Sequence, residues 1–167
     1  MPVGRRQNYM KRTGIKPGTK RPRRNYGGIR TTAPRPGSLR ELRKRAGSLV
    51  AQAAKMRDGH QCRQCLDEGR PSSGVIDAGH LYPKGTFKGT AYSLDNVFGQ
   101  CRYHNQLHIA QPAYFFDWYL RHHTQEQLDE LHARAVGPTP SREQLQTIIA
   151  ELTVRVEEMR CHQDSLV

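Results

Sequence analysis

The sequence has no run approaching the ~18 consecutive apolar residues of a membrane-spanning helix, and its first residues carry no apolar core of a secretory signal. Apolar residues make up only 35% of the 167 positions, so any hydrophobic core is small. The expectation is one soluble, intracellular domain with a tail. Cysteine is scarce too, with four in the chain. In a reducing compartment these read as metal ligands or free thiols before they read as disulfides. Acidic residues are nearly missing from one end. Residues 1–45 hold fifteen of the 27 Lys and Arg but one of the 15 acids, Glu41. The other 122 residues carry twelve bases against fourteen acids, so the net charge of +12 belongs to the N-terminal stretch. Residues 1–37, rich in Gly and Pro and without apolar periodicity, cannot bury enough surface to offset ordering entropy. They are expected to be disordered when free and to act as a basic nucleic-acid-binding arm.

What is present begins with helices. Ser38 opens one, with "SLRE" as a capping box and Leu39, Leu42, Ala46, Leu49, Ala53 and Met56 as its apolar stripe. "RDGH" ends it at Gly59. From His60 to about Ala110 the pattern changes to short strands, turns and clustered Cys, His and Asn. Helical signals resume in "QPAYFFDWYLRHH", in "TQEQLDELHARAVG" with a cap at Thr124, and in "SREQLQTIIAELTVRVEEM" with a cap at Ser141. The last presents Leu145, Ile148, Ile149, Leu152, Val156 and Met159 on one face. This gives an α+β chain in three parts: the arm, a domain over residues 38–137, and an amphipathic C-terminal helix over 138–167. The aromatic and aliphatic stripes read as core or as a partner-helix face, and the face around Ile148 and Val156 is also a candidate for a homodimer.

Two tight turns carry metal chemistry. "CRQC" spaces Cys62 and Cys65 by two residues, and "CRYH" spaces Cys101 and His104 the same way. Two such half-sites supply three thiolates and one imidazole for tetrahedral Zn²⁺. His60 competes with His104 for the fourth position. A zinc ion with four protein ligands has no open coordination site, so it braces and does not catalyse. Cys161 stands alone near the C-terminus.

Between and just after the half-sites stand Asp77, His80, Asn96 and Asn105. A strand ending at His80, a basic loop "PKGTFKGTAY", a second strand near Val97 and a helix from about Cys101 make a ββα unit. The steps from His80 to Asn96 and from Asn96 to Asn105 are sixteen and nine residues. From about Cys62 to Leu131 the chain resembles the HNH endonucleases and, within them, the phage NinG/Rap recombination nucleases. The resemblance rests on "CRQC", "DAGH", "LDNVFGQC" and "HNQ".

That resemblance implies a zinc-braced ββα-metal core and a metal-dependent DNA endonuclease. It implies His80 as the base that activates water, Asn105 and Asp77 as oxygen ligands to Mg²⁺ or Mn²⁺, and Asn96 as the amide that pins the loop and orients the histidine. Two positions depart from the pattern. Gly79 stands where many such sites place a ligand directly before the base, so Asp77 would reach the ion through a bend at Ala78-Gly79 or through water. His104 stands where the family often has cysteine. His108 is left unassigned, and Lys84 and Lys88 would contact phosphates. The implied substrate is branched or recombining DNA, such as a Holliday junction or D-loop. The setting is host cytoplasm if the chain is phage-encoded, with recombination proteins as possible partners. The rival reading is a non-catalytic zinc module that binds nucleic acid or assists recombination.

Overall fold

The computed structural model describes residues 35–72 and 74–165. The expectation of disorder over 1–37 therefore lies, but for its last three residues, outside the described residues. The chain is α+β, with six α-helices and one two-stranded antiparallel sheet among the described residues.

Helix α1 spans Leu39–Arg57, and Ser38 Oγ accepts a hydrogen bond from the Glu41 backbone N–H at 3.2 Å, satisfying one open donor of the first turn. Its apolar stripe buries Leu42, Ala46, Val50, Ala53, Ala54 and Met56. The helix stops at Asp58 and Gly59, and His60 follows at a φ of 55°. The buried Asp58 carboxylate accepts from Gly99 N at 2.7 Å and from Arg57 Nε at 2.8 Å. Arg57 also donates to the carbonyls of Leu94 and Val97. The end of α1 is thereby fastened to the second strand.

A short helix, α2 (Arg63–Asp67), precedes strand β1 (Ile76–His80). After the loop comes a 3₁₀ turn at Leu94–Asn96, then β2 (Val97–Cys101) and α3 (Arg102–Ala110). The strands pair in register from Ile76 opposite Cys101 to His80 opposite Val97. Side chains alternate between faces along a strand. Ala78 and Val97 face α1, in a cluster with Ala53, Ala54, Leu152 and Val156. Phe98, opposite Gly79, faces the other way and packs edge-on against Phe115, Trp118 and Tyr119. Those three belong to α4 (Pro112–Leu120), which joins α5 (Gln125–Ala135) in a second core with Leu81, Leu128 and Leu131. Proline at the first turn of α4 and a reciprocal Thr124–Gln127 capping box on α5 start both helices where the sequence placed them.

The C-terminal helix is α6 (Arg142–Asp164), started by a Ser141–Gln144 capping box. It runs alongside α1 in the same direction. Leu145 and Ile149 pack on Leu42 and Ala46, and Leu152 and Val156 on Val50 and Ala53. Residues 34–167 form one compact unit that includes this helix. Its apolar stripe is core: α1 covers it, and Val156 is 2% exposed.

Candidate metal centre and candidate active site

Cys62 caps α2, Cys65 lies one turn into it, Cys101 closes β2 and caps α3, and His104 sits in the first turn of α3. All four are buried, and their ligand atoms lie within 4.8 Å of one another. His104 Nδ1 is 3.2 Å from Cys62 Sγ and 3.5 Å from the sulfurs of Cys65 and Cys101, and those two sulfurs are 3.8 Å apart. With Zn–S near 2.3 Å and Zn–N near 2.0–2.1 Å, the edges of a tetrahedron come to about 3.5 and 3.8 Å. The donor set fits zinc in chemistry and in size. Burial, and then the neighbouring sulfurs of Cys101 and Cys62, push the Cys65 thiol up to about 12. Packed together without a cation, these sulfurs cannot all carry charge. His60 is exposed, on the turn after α1 and outside this group, so the structure brings in His104 as the fourth donor.

His80 stands at the other end of the sheet. Its Nε2 is 3.1 Å from the Ala91 carbonyl oxygen, which accepts only, so Nε2 carries the proton and Nδ1 holds the lone pair of the neutral ring. Burial lowers its pKa, and the positive charge of Lys84 does the same, while the carbonyls of Ala91 and Ala78 pull the other way. A neutral imidazole with a fixed tautomer is a ready proton acceptor.

The loop that bears Ala91 is held from two sides. Asn96 is fully buried: its Oδ1 accepts from Tyr82 N at 2.7 Å, and its Nδ2 donates to the carbonyls of Tyr82 and Thr90 at 3.0 and 3.1 Å. The amide thus ties both ends of the loop between the strands, and it reaches His80 only through that loop. On the far side, Gly89 N donates to Ala135 O at the end of α5. A Cβ on Gly89 would stand 1.9 Å from the Arg134 carbonyl oxygen. Gly89→Ala should push the loop off α5 and cost about 1–3 kcal/mol, read from urea unfolding; an unchanged midpoint would show that the contact is slack.

Asn105 follows His104 on α3 and is half-buried, and His108 lies one turn further on the inward side, 5% exposed. The His108 ring packs at a tilt of 60° against Phe115, 4.5 Å between centroids. Its pKa is lowered first by burial and also by the charge of His80, with the Leu81 carbonyl opposing. Both histidines bind a proton less readily folded than unfolded, where the value is near 6.5. Their contribution to stability is therefore full above that pH and is lost as the pH falls toward the lowered folded values. His108→Gln should lose less melting temperature than wild type between pH 7.5 and 5.5; equal losses would assign the acid sensitivity elsewhere.

Asp77 is exposed and sits opposite Gln100. It shares a face of β1 with Gly79, the side on which Phe98 meets α4, whereas His80 shares the face of Ala78 and Val97 toward α1. Of the two routes open to Asp77, the bend at Ala78-Gly79 is not made, since the strand pairs residue for residue through His80; the route through water is the other. Gly79 is small for another reason. Its Cβ would lie 1.5 Å from the Gln100 side-chain oxygen, so the Gln100 carboxamide fills that space. Asp77 and His80 therefore do not converge directly on one atom. Cavities of about 480 and 590 Å³ lie along α6, lined by residues such as Ile148 and Gly89, and touch neither His80 nor a zinc donor. Lys84 and Lys88 are exposed on the loop beside His80.

Three residues here had no motif to announce them. Glu68, Arg70 and Tyr114 surround the outer nitrogen of His104: Glu68 Oε1 is 3.3 Å from His104 Nε2 and accepts from the Tyr114 hydroxyl. Only the chain turn after α2 and the docking of α4 bring them together.

No family model, curated protein or solved structure matches this chain.

Proposed function

We propose that this chain is a zinc-braced, HNH-type endonuclease that hydrolyses phosphodiester bonds in DNA. The observation that carries the reading is His80: an imidazole at a strand end, its proton fixed on Nε2 by Ala91, on a loop pinned by the buried Asn96. Cys62, Cys65, Cys101 and His104 would hold Zn²⁺, which ties α2 to the β2–α3 junction and so stiffens the hairpin. His80 Nδ1 takes the proton of the attacking water, its lone pair kept free by the hydrogen bond at Nε2. Lys84 and Lys88 hold the phosphates on either side of the reacting bond. Asn105 and, through water, Asp77 are the hard oxygen donors that would hold Mg²⁺ or Mn²⁺. That cation, when bound, would neutralise charge on the phosphate. The basic N-terminal stretch adds sequence-independent affinity.

The substrate class follows from the resemblance of the motifs to recombination nucleases: branched DNA in a phage setting. The test is incubation of the full chain with linear, forked and four-way DNA in Mg²⁺, Mn²⁺ or chelator. Cation-dependent cleavage, strongest on the branched forms, is expected. Tight binding with no cleavage in any cation would replace the nuclease with a zinc-containing binding module.

A further inference from the structure

The imidazole of His104 can place its single proton on either nitrogen, and only one choice is compatible with a metal at Nδ1. Around Nε2 stand two groups of opposite character. Glu68 Oε1, an acceptor, is 3.3 Å away, and Arg70 Nη2, a donor, is also 3.3 Å away. The two are bonded to each other, Arg70 Nε donating to Glu68 Oε2 at 2.8 Å. The Tyr114 hydroxyl donates to the same Glu68 oxygen that faces His104, and the Tyr114 ring lies parallel to the imidazole, 6.2 Å between centroids.

We propose that Glu68 is the positioning residue that makes His104 a zinc ligand, and that Arg70 is its built-in opponent. This rests on the zinc reading above. When Nε2 carries the proton, it donates to Glu68 and Nδ1 turns a lone pair toward the three sulfurs. When Nδ1 carries the proton, Nε2 accepts from Arg70 and the metal position is blocked. The carboxylate decides between the two, because it lies against the ring and is itself held by Tyr114 and Arg70. A carboxylate behind a zinc-bound histidine also raises the basicity of the coordinating nitrogen. Tyr114 comes from α4, so the docking of that helix helps to set the metal site.

The test measures zinc release from the full chain to a chromogenic chelator, with the His104 tautomer read by long-range ¹H–¹⁵N correlation. Glu68→Ala should weaken zinc retention by about 10–100-fold. Glu68→Gln, whose carboxamide oxygen still accepts from Nε2–H, should lose less. Removing Arg70 as well as Glu68 should restore part of the loss, which simple structural damage would not do. Wild-type retention in Glu68→Ala, or a wild-type ring protonated on Nδ1 with zinc bound, overturns the proposal and leaves the zinc site standing. A wild-type chain that takes up no zinc overturns both.

Discussion

Stripping the metal, or replacing Cys101 with serine, should melt the β1–β2 hairpin while α1 and α6 keep much of their helicity. Each strand is five residues long and the sheet has two, and an isolated two-stranded hairpin is at best marginally stable in water. Its zinc-side end, Ile76 opposite Cys101, packs mainly on the sulfur cluster. Structural zinc contributes about 10–16 kcal/mol in small zinc-binding peptides, which is comparable to the whole stability of a domain, about 5–15 kcal/mol. The α1–α6 pair has its own apolar seam from Leu42–Leu145 to Ala53–Val156, and none of its residues is a zinc donor. Hydrogen exchange resolved by residue should therefore show protection lost first at 76–80 and 97–101 on chelation. Uniform loss across α1 and α6 would mean that the metal holds the whole domain in one cooperative unit; no loss at the hairpin would mean that it holds nothing.

His80→Ala should lower the rate of DNA cleavage by about 10²–10⁴-fold with little change in binding. The groups available for phosphate contact, Lys84, Lys88 and the basic N-terminal stretch, are untouched by the substitution. The ring is only half-buried, so its removal leaves a shallow gap and no large core cavity. The pH dependence has a definite sign. Burial and Lys84 lower the pKa of His80, so the neutral base persists below the ordinary histidine range. Wild-type cleavage should hold nearly level near neutrality and fall only as acid protonates Nδ1. A rate that climbs steeply above pH 7 would mean that another group sets the base.

Much of this arrangement was readable from local spacing. Two Cys/His pairs on two-residue spacers converge because a single tight turn or first helical turn points both side chains the same way. The caps at Ser38, Thr124 and Ser141 act within three residues of themselves. What the sequence could not show depends on contacts between distant segments. The apolar face of α6 reads as core or as a partner-helix face, and nothing local says that α1, a hundred residues earlier, is what lies against it. Gly79 suggested a bend, yet it is small to admit the Gln100 side chain from the facing strand. Asp77, three residues before His80, falls on the other face by the two-residue period of a strand that runs straight. Glu68 and Gly89 owe their roles to α4 and α5, which arrive from elsewhere in the chain.

The most direct measurement is a cleavage time course on four-way DNA with Mg²⁺, run for the zinc-loaded wild type and for His80→Ala, with binding recorded in the same samples. The account predicts cutting by the wild type, equal binding by both, and a rate for the variant at least a hundredfold lower. Equal cleavage by both proteins, or none by the fully metallated wild type, would contradict it.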